Sequence, residues 1–510
     1  MDDGKPKIGL AGSPDDAPRV PDEQTLDPDD WRTFRQLAHA TLDHCIDFIA
    51  AVRDRPVWKP VPEETKSNLK RPVPYRASSV EKILEEIRDG IMPYSTGNVH
   101  PRFFGWVHGA GTPIGIISAL LSATMNSNCG GREHAAIYVE RQVIEWCREI
   151  FGFPEGGSGV LTVGTSMASV IAVSVARFRR LGPRARQEGN SSDCRLVGYC
   201  SSEAHVALRK AFELLGLGSA QLRAIPTGED FAMSIERLSA AIEADRASGL
   251  VPFMVIGTAG TVNTGAYDDL SAIAELARRE HLWFHVDGAF GAWAQIAGHP
   301  WKQLVRGIEG ADSMAFDFHK WISVPYDAGC VLIRDERLHR AAFAERPEYL
   351  KSGLRGLAAG DPWPCDYGID LSREFRALKV WMALSHFGID QLGGMITKNC
   401  QAARRLGSLI GKSSVFELAA PVSLNICCFG LRNRSTQAAD DLQIARLVEQ
   451  LQLSGIAAPS TARIANRLCV RAAILNHRTG WADLDLFVNA AEDTLRCLSL
   501  EARDPGTDSA

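Results

Sequence analysis

The segment DFHKW, residues 317–321, closes an apolar run with a lysine, Lys320. A lysine desolvated at the end of a buried strand loses its proton readily and attacks carbonyl carbons. Alone it would read as an ordinary surface lysine. Its company argues otherwise: His319 and Trp321 flank it, and upstream the segment HVDGAF, 285–290, carries Asp287 at the end of another apolar run. A carboxylate at the C-terminal end of a parallel strand sits where such sheets bind ligands. It is costly to bury without a cationic partner.

Two more segments face the same way. In GSGVLTVGTSMAS, 157–169, Gly164, Thr165 and Ser166 precede a helical pattern with apolar residues at Met167, Val170, Ile171, Val175 and Phe178. Free N–H groups and hydroxyls at a helix start suit a dianionic phosphate, although such a start is usually just a cap. In SSEAH, 201–205, His205 follows a strand and either stacks on a flat ligand or caps the next helix. An imine-forming lysine, an acid for a ring nitrogen and a phosphate cradle are what pyridoxal phosphate (PLP) requires of a protein.

The elements that must position these residues alternate between strand and helix. Strands are predicted at 194–200, 222–225, 253–258, 282–287, 313–318 and 329–335, and helices at 203–215, 234–247 and 268–280. Continuous apolar strands between helices indicate a mostly parallel sheet covered on both faces. Residues 390–498 read as a smaller α+β unit with a long helix, two short strands and a terminal helix. Near the N-terminus a helix is predicted over 27–52, with Asp27 as its N-cap and Pro28 at its first position, and a second over 80–90. The two cannot bury much by themselves, so they are expected to pack on a second subunit. The expected units are a tail over 1–26, a helical arm at a dimer interface over 27–100, a large PLP-binding domain over 101–388, a small domain over 389–498 and a tail over 499–510.

Composition narrows the class. The chain has 510 residues, a net charge of −5 and no basic stripe, so neither nucleic acid nor a membrane surface is an expected partner. Twelve cysteines without a CxxC pair read as reduced thiols, as for Cys330, Cys427, Cys428 and Cys469. No metal-ligand spacing stands out. No apolar leader and no apolar run long enough to span a bilayer are found, which makes the cytoplasm the default location.

Taken in order, HPRFFGW (100–106), VLTVGTSMAS (160–169), SSEAH, TAGTVNTGAYDD (258–269), HVDGAF, DSMAFDFHKW (312–321), PEYL (347–350) and LSREFRALKVW (371–381) resemble the group II PLP-dependent amino-acid decarboxylases. The resemblance implies fold type I, the aspartate-aminotransferase-like α/β fold, and a homodimer that converts an L-amino acid to its amine and CO2. It makes Lys320 the Schiff-base lysine and Asp287 the partner of the pyridine nitrogen. Ala289 and His205 lie against the two ring faces, and Gly164, Thr165, Ser166 and His319 form the phosphate cradle. Leu371 and Ser372 match a segment that reaches the phosphate from the other subunit. Tyr349 matches a loop tyrosine that protonates the carbanion, aided by His205, and favours simple decarboxylation over aldehyde synthesis. The span 346–366 has the composition of a mobile lid. Trp106 and Phe103 are expected on the substrate side, whereas Phe104 reads equally well as core.

Three departures from the family pattern matter. Val262 stands where relatives carry a hydroxyl, leaving Thr261 to substitute. Asp317 stands where relatives often have Asn, and a carboxylate beside a phosphate must hold a neighbour or turn away. MNSNCGGREH, 125–134, is polar where aromatic-specific relatives are apolar, which counts against an otherwise favoured aromatic substrate. Two rival readings remain: other PLP chemistry on the same fold, such as aldehyde synthesis or aminotransfer, and a catalytically silent binding relative.

Overall fold

The computed structural model describes residues 25–190, 195–345 and 353–501. Most of the two expected tails, and residues 346–352 with Tyr349, lie outside the described residues. Seven strands form the main sheet: β1 (Ser158–Thr162), β2 (Leu196–Ser201), β3 (Leu222–Ile225), β4 (Val251–Thr258), β5 (Trp283–Asp287), β6 (Ser313–Asp317) and β7 (Gly329–Ile333). Their order is β1-β7-β6-β5-β4-β2-β3. Among the described strands only β7 runs against its neighbours, β1 and β6; the other pairs are parallel.

The strands are apolar on both faces because helices cover both. Ala168, Ile171, Ala172 and Val175 of the helix Thr165–Leu181 pack with Val160, Ile256 and Val331 on one face. Ile137, Val143, Ile273 and Leu276 pack with Leu161, Val255, Phe284 and Phe316 on the other. Alternate strand residues thus enter opposite cores, as the two-residue strand period dictates. The strands expected from the sequence are all present, within a few residues at their ends. The helix expected to begin at Glu203 starts later, at Val206, with His205 as its N-cap. β1 was not foreseen as a strand, because its five residues run directly into the glycine-rich helix start.

A 37-residue helix, Arg376–Lys412, leads to the C-terminal unit. It is broken at Gly388, whose φ of 68° and ψ of 162° are not helical. The unit contains four antiparallel strands, β8 (Phe416–Leu418), β9 (Ile426–Leu431), β10 (Ser460–Ile464) and β11 (Arg467–Ala473), in the order β10-β11-β9-β8. The sequence had indicated two; the outer strands β8 and β10 are short, with little apolar run to mark them. Helices Gln437–Leu453 and Trp481–Glu501 are further parts of the unit. Phe104 lies in its core, 5.0 Å from Phe487 between ring centroids.

The first N-terminal helix is Trp31–Ala50, capped by Asp30 and not by Asp27. Asp30 accepts from the Arg32 N–H at 2.9 Å and from the Thr33 hydroxyl at 2.6 Å. Asp27 itself lies in a bend ahead of the helix, which begins only at Trp31. Neither this helix nor Val80–Gly90 buries a single residue, and Trp31, Phe34, Ile46, Val80, Ile83 and Ile87 are exposed. Among the described residues no helix is long and apolar enough to cross a membrane, no group of side chains could hold a metal ion, and every cysteine is free.

Two buried histidines make the fold acid-sensitive. His285 on β5 and His339 are fully buried, and burial pushes their imidazoles down from 6.5 to about 4 and about 3. The unfolded chain protonates them near pH 6.5 and the folded chain only far below it. Their contribution is therefore complete above pH 6.5 and declines as pH falls through the window down to about 4. The melting temperature should fall between pH 7 and pH 5, and it should fall less steeply in His285→Leu. Equal slopes in thermal scans of the two proteins would contradict neutral burial of His285.

Candidate active site

The C-terminal ends of β5 and β6 place two buried carboxylates side by side. Asp287 pairs in register with Ala315, and Asp317 ends β6 two residues later. Asp317 is 2% exposed, so each of its oxygens needs a partner. Oδ1 accepts the Thr165 backbone N–H at 2.7 Å. Oδ2 lies 2.8 Å from Lys320 Nζ and 3.6 Å from His319 Nε2. The unexpected acid has thus turned onto the helix start and the lysine, which explains how a carboxylate is accommodated there.

Asp287 has no ion pair of its own among the described residues; the Ala289 N–H donates to it at 3.2 Å. Burial pushes its carboxyl up, His205 and Lys320 pull it down, and Asp317 pushes it up further. A buried acid in this state favours a cationic hydrogen-bond donor beside it. His205 is exposed at the same sheet edge, and its Nδ1 accepts the Ala207 N–H at 3.2 Å. It is a helix cap, with the other face of its chemistry, Nε2, left over.

Around the helix start the backbone approaches closely. A Cβ on Gly329 would collide with Gly164 Cα and lie 2.7 Å from Asp317 Oδ1. A Cβ on Gly109 would strike the carbonyl oxygens of His319 and Lys320. Among the described residues Thr165 Oγ1 is buried without a partner, and so is Thr258 Oγ1, which sits across from Asp287 in the sheet register. Ser166 is exposed beside them. His319 Nδ1 accepts the Ala328 N–H at 3.0 Å, and its ring lies 4.3 Å from that of Tyr326, tilted by 35°.

Other expected residues are placed differently. The Thr261 hydroxyl is engaged within its own turn, 3.0 Å from the Thr264 hydroxyl and accepting from the Ala266 N–H at 3.1 Å. Leu371 and Ser372 are exposed and share no hydrogen bond or ion pair with the Lys320 cluster of the same chain. They precede Arg373, which forms a buried two-pronged pair with Glu140 at 2.6 and 3.0 Å. Of the two residues expected on the substrate side, Phe103 is buried and Trp106 is exposed, with ring centroids 6.2 Å apart. Trp106 has a φ of 48°, a strained value for a non-glycine residue. Ser460 Oγ accepts its N–H at 3.3 Å, and Arg471 Nη1 donates to its carbonyl at 3.1 Å. Sequence reading missed Thr258, His108, Tyr326 and Arg471. Thr258 could have been found, because it ends a predicted strand at the same edge.

A family model described as the pyridoxal-dependent decarboxylase conserved domain matches residues 62–432, more than half of the chain. The chain belongs to that family. The aromatic-L-amino-acid decarboxylase of Bacillus atrophaeus is 30% identical over 456 residues, covering 88% of this chain and 92% of that protein. Tyrosine decarboxylase 4 of Petroselinum crispum is 32% identical over 420 residues, covering 80% and 81%. The solved structure of Oryza sativa TDC with PLP and tryptamine superposes with a TM-score of 0.85 at 26% identity, covering 93% of this chain and all of that one. The fold is therefore fold type I, and this pyridoxal-dependent decarboxylase is a carboxy-lyase that uses PLP. The side chains fit that cofactor. A helix N-terminus with an unpartnered buried hydroxyl at Thr165 suits its phosphate, and the unpaired acid Asp287 suits its ring nitrogen.

The glycine packing yields a test. Gly329→Ala should force Gly164 and Asp317 apart, and overpacking of this kind costs about 1–3 kcal/mol. Retained PLP should fall about tenfold or more, with far-ultraviolet circular dichroism little changed. Full PLP occupancy after dialysis would show that the close approach is not needed.

Proposed function

We propose that this decarboxylase converts an aromatic L-amino acid to its amine and CO2, with Lys320 as the residue that holds PLP covalently. The observation that carries the lysine assignment is its 2.8 Å pair with buried Asp317, directly beside Asp287 and the Thr165 helix start. Lys320 is the amine presented at this strand edge, and Asp317 fixes its position.

When bound, PLP supplies a carbonyl for the substrate amine and a ring system that takes up the electrons left as CO2 departs. Gly164, Thr165, Ser166 and His319 would hold the phosphate. Asp287 would hold the ring nitrogen in its protonated form, and the added cation offsets the cost of burying that carboxylate. Ala289, small and half-buried, would leave room at one ring face, and His205 would cover the other. Thr258, with its free buried hydroxyl beside Asp287, is a further candidate to hold that carboxylate in place. Tyr349, with His205, is assigned the return of a proton to Cα. This assignment favours amine over aldehyde as product.

The aromatic preference is supported by the ring cluster of Phe103, Trp106, His108 and Tyr326 next to the Lys320 loop, and by the substrates named for the relatives. The polar segment 125–134 remains the argument for a substrate with polar substituents. A homodimer is part of the same proposal. The arm over 27–100 exposes an apolar face that a lone chain leaves in water, and Leu371 and Ser372 are free to reach a neighbouring subunit's phosphate site. The division into arm, large domain to 388 and small domain from 389 coincides with the helix break at Gly388.

Borohydride reduction of the PLP-loaded protein should leave a phosphopyridoxyl group on the peptide containing Lys320. Lys320→Ala should lose this adduct and its steady-state turnover. Label on another lysine, or turnover in the variant, would refute the assignment. Sedimentation should give a dimer, and Phe34→Asp with Ile83→Asp should yield monomers with little activity. A fully active wild-type monomer would remove the dimer from the proposal.

A further inference from the structure

His108 was not among the residues marked by the sequence, and the reaction as described leaves it without a task. Its position is well determined. The next residue, Gly109, lies so close to the Lys320 loop that a Cβ would strike the His319 and Lys320 carbonyls. The His108 ring is stacked on Phe103 with a centroid distance of 5.9 Å and an interplanar angle of 10°, and on Trp106 at 5.6 Å and 28°. Tyr326 meets it edge-on at 6.0 Å and in turn lies against His319 in a tilted ring contact. Its faces are therefore engaged by rings. Its nitrogens form no hydrogen bond with any described residue, although the imidazole is only partly exposed. Burial and the nearby Lys320 charge both push it below 6.5, so near neutral pH it is uncharged and carries one donor and one acceptor.

A half-buried imidazole with both nitrogens free is an incomplete hydrogen-bonding group. The rings around it form a wall suited to a flat side chain, since aromatic pairs favour offset or edge contacts at centroid distances of about 4.5–7 Å. We propose that His108 is a specificity-determining residue that hydrogen-bonds a polar atom on the substrate's ring. The substrate class is then a hydroxylated aromatic L-amino acid rather than its unsubstituted counterpart. This rests on the reading of the site as an aromatic amino-acid decarboxylase and refines it. A site that hydrogen-bonds a hydroxyl can reject the analogue lacking it strongly, whereas apolar walls alone discriminate about 10–200-fold at most.

Tyrosine and phenylalanine, which differ by one hydroxyl, are the probes. The PLP-loaded full-length protein should release CO2 faster from tyrosine, measured as kcat/KM. In His108→Phe, which keeps a ring in the stack and removes both nitrogens, the tyrosine-to-phenylalanine ratio should fall about tenfold or more. His108→Gln, which keeps a donor and an acceptor, should retain most of the ratio and serves as the control if the phenylalanine variant folds poorly. PLP absorbance and circular dichroism establish that each variant is loaded and folded. A ratio unaltered in His108→Phe, or lost equally in His108→Gln, overturns the role of His108 and leaves the decarboxylase reading intact. No CO2 from any ring-bearing amino acid, with another amino acid turned over, overturns both.

Discussion

Two carboxylates buried side by side, Asp287 and Asp317, are the constraint from which the site follows. Neighbouring negative charges in a region poor in water repel each other strongly, and burial already disfavours each of them. The fold counters this with groups drawn from distant parts of the chain. Lys320 brings a full positive charge to Asp317, and the Thr165 N–H brings the positive end of a 17-residue helix. Asp287 receives one backbone N–H and the more distant charges of Lys320 and His205. Its compensation is incomplete in the protein alone, and that incompleteness is what makes a protonated ring nitrogen a fitting occupant.

Such an arrangement requires backbone segments to approach more closely than side chains allow. Gly164 and Gly329 meet Cα to Cα at the helix start, and Gly109 leans on the Lys320 loop. β7 is the strand that makes this possible. Running antiparallel between β1 and β6, it begins at Gly329, opposite both Thr162 at the end of β1 and Asp317 at the end of β6. The cradle after β1 and the lysine after β6 are thus brought together across one strand, although more than a hundred residues separate them in the chain.

This geometry explains which parts could be read from the sequence. Lys320, Asp287, Thr165 and His205 each follow a recognisable strand or precede a recognisable helix, so their common edge was legible from periodicity. Asp317 was visible as an anomaly, but its resolution was not: the pairing with Thr165 spans a distance in sequence that no local pattern reports. His108 and Arg471 were missed for the same reason: one lies on a loop and the other in the small sheet, both far in sequence from Lys320. Tyr326 follows Lys320 on the same loop, where no period shows how its ring packs. The N-cap was misread because Asp27, Asp29 and Asp30 are equivalent by residue type. The choice of Asp30 depends on where the chain first turns helical.

The two sheets divide the work of the site. The large sheet supplies the lysine, the acids and the cradle. The small sheet reaches Trp106 through Arg471 of β11, a buried arginine without a carboxylate partner among the described residues, whose guanidinium burial pulls down to about 10. It donates to the carbonyls of Trp106 and Asn263 and to Ser460, and one of its nitrogens, Nη2, remains unpartnered. Strain of about 1–3 kcal/mol at a non-glycine residue with positive φ persists only where its surroundings hold it, and here Arg471 and Ser460 grip both sides of Trp106. The Trp106 backbone is therefore held from the small sheet, whereas Asp287, Asp317 and Lys320 end or follow strands of the large one.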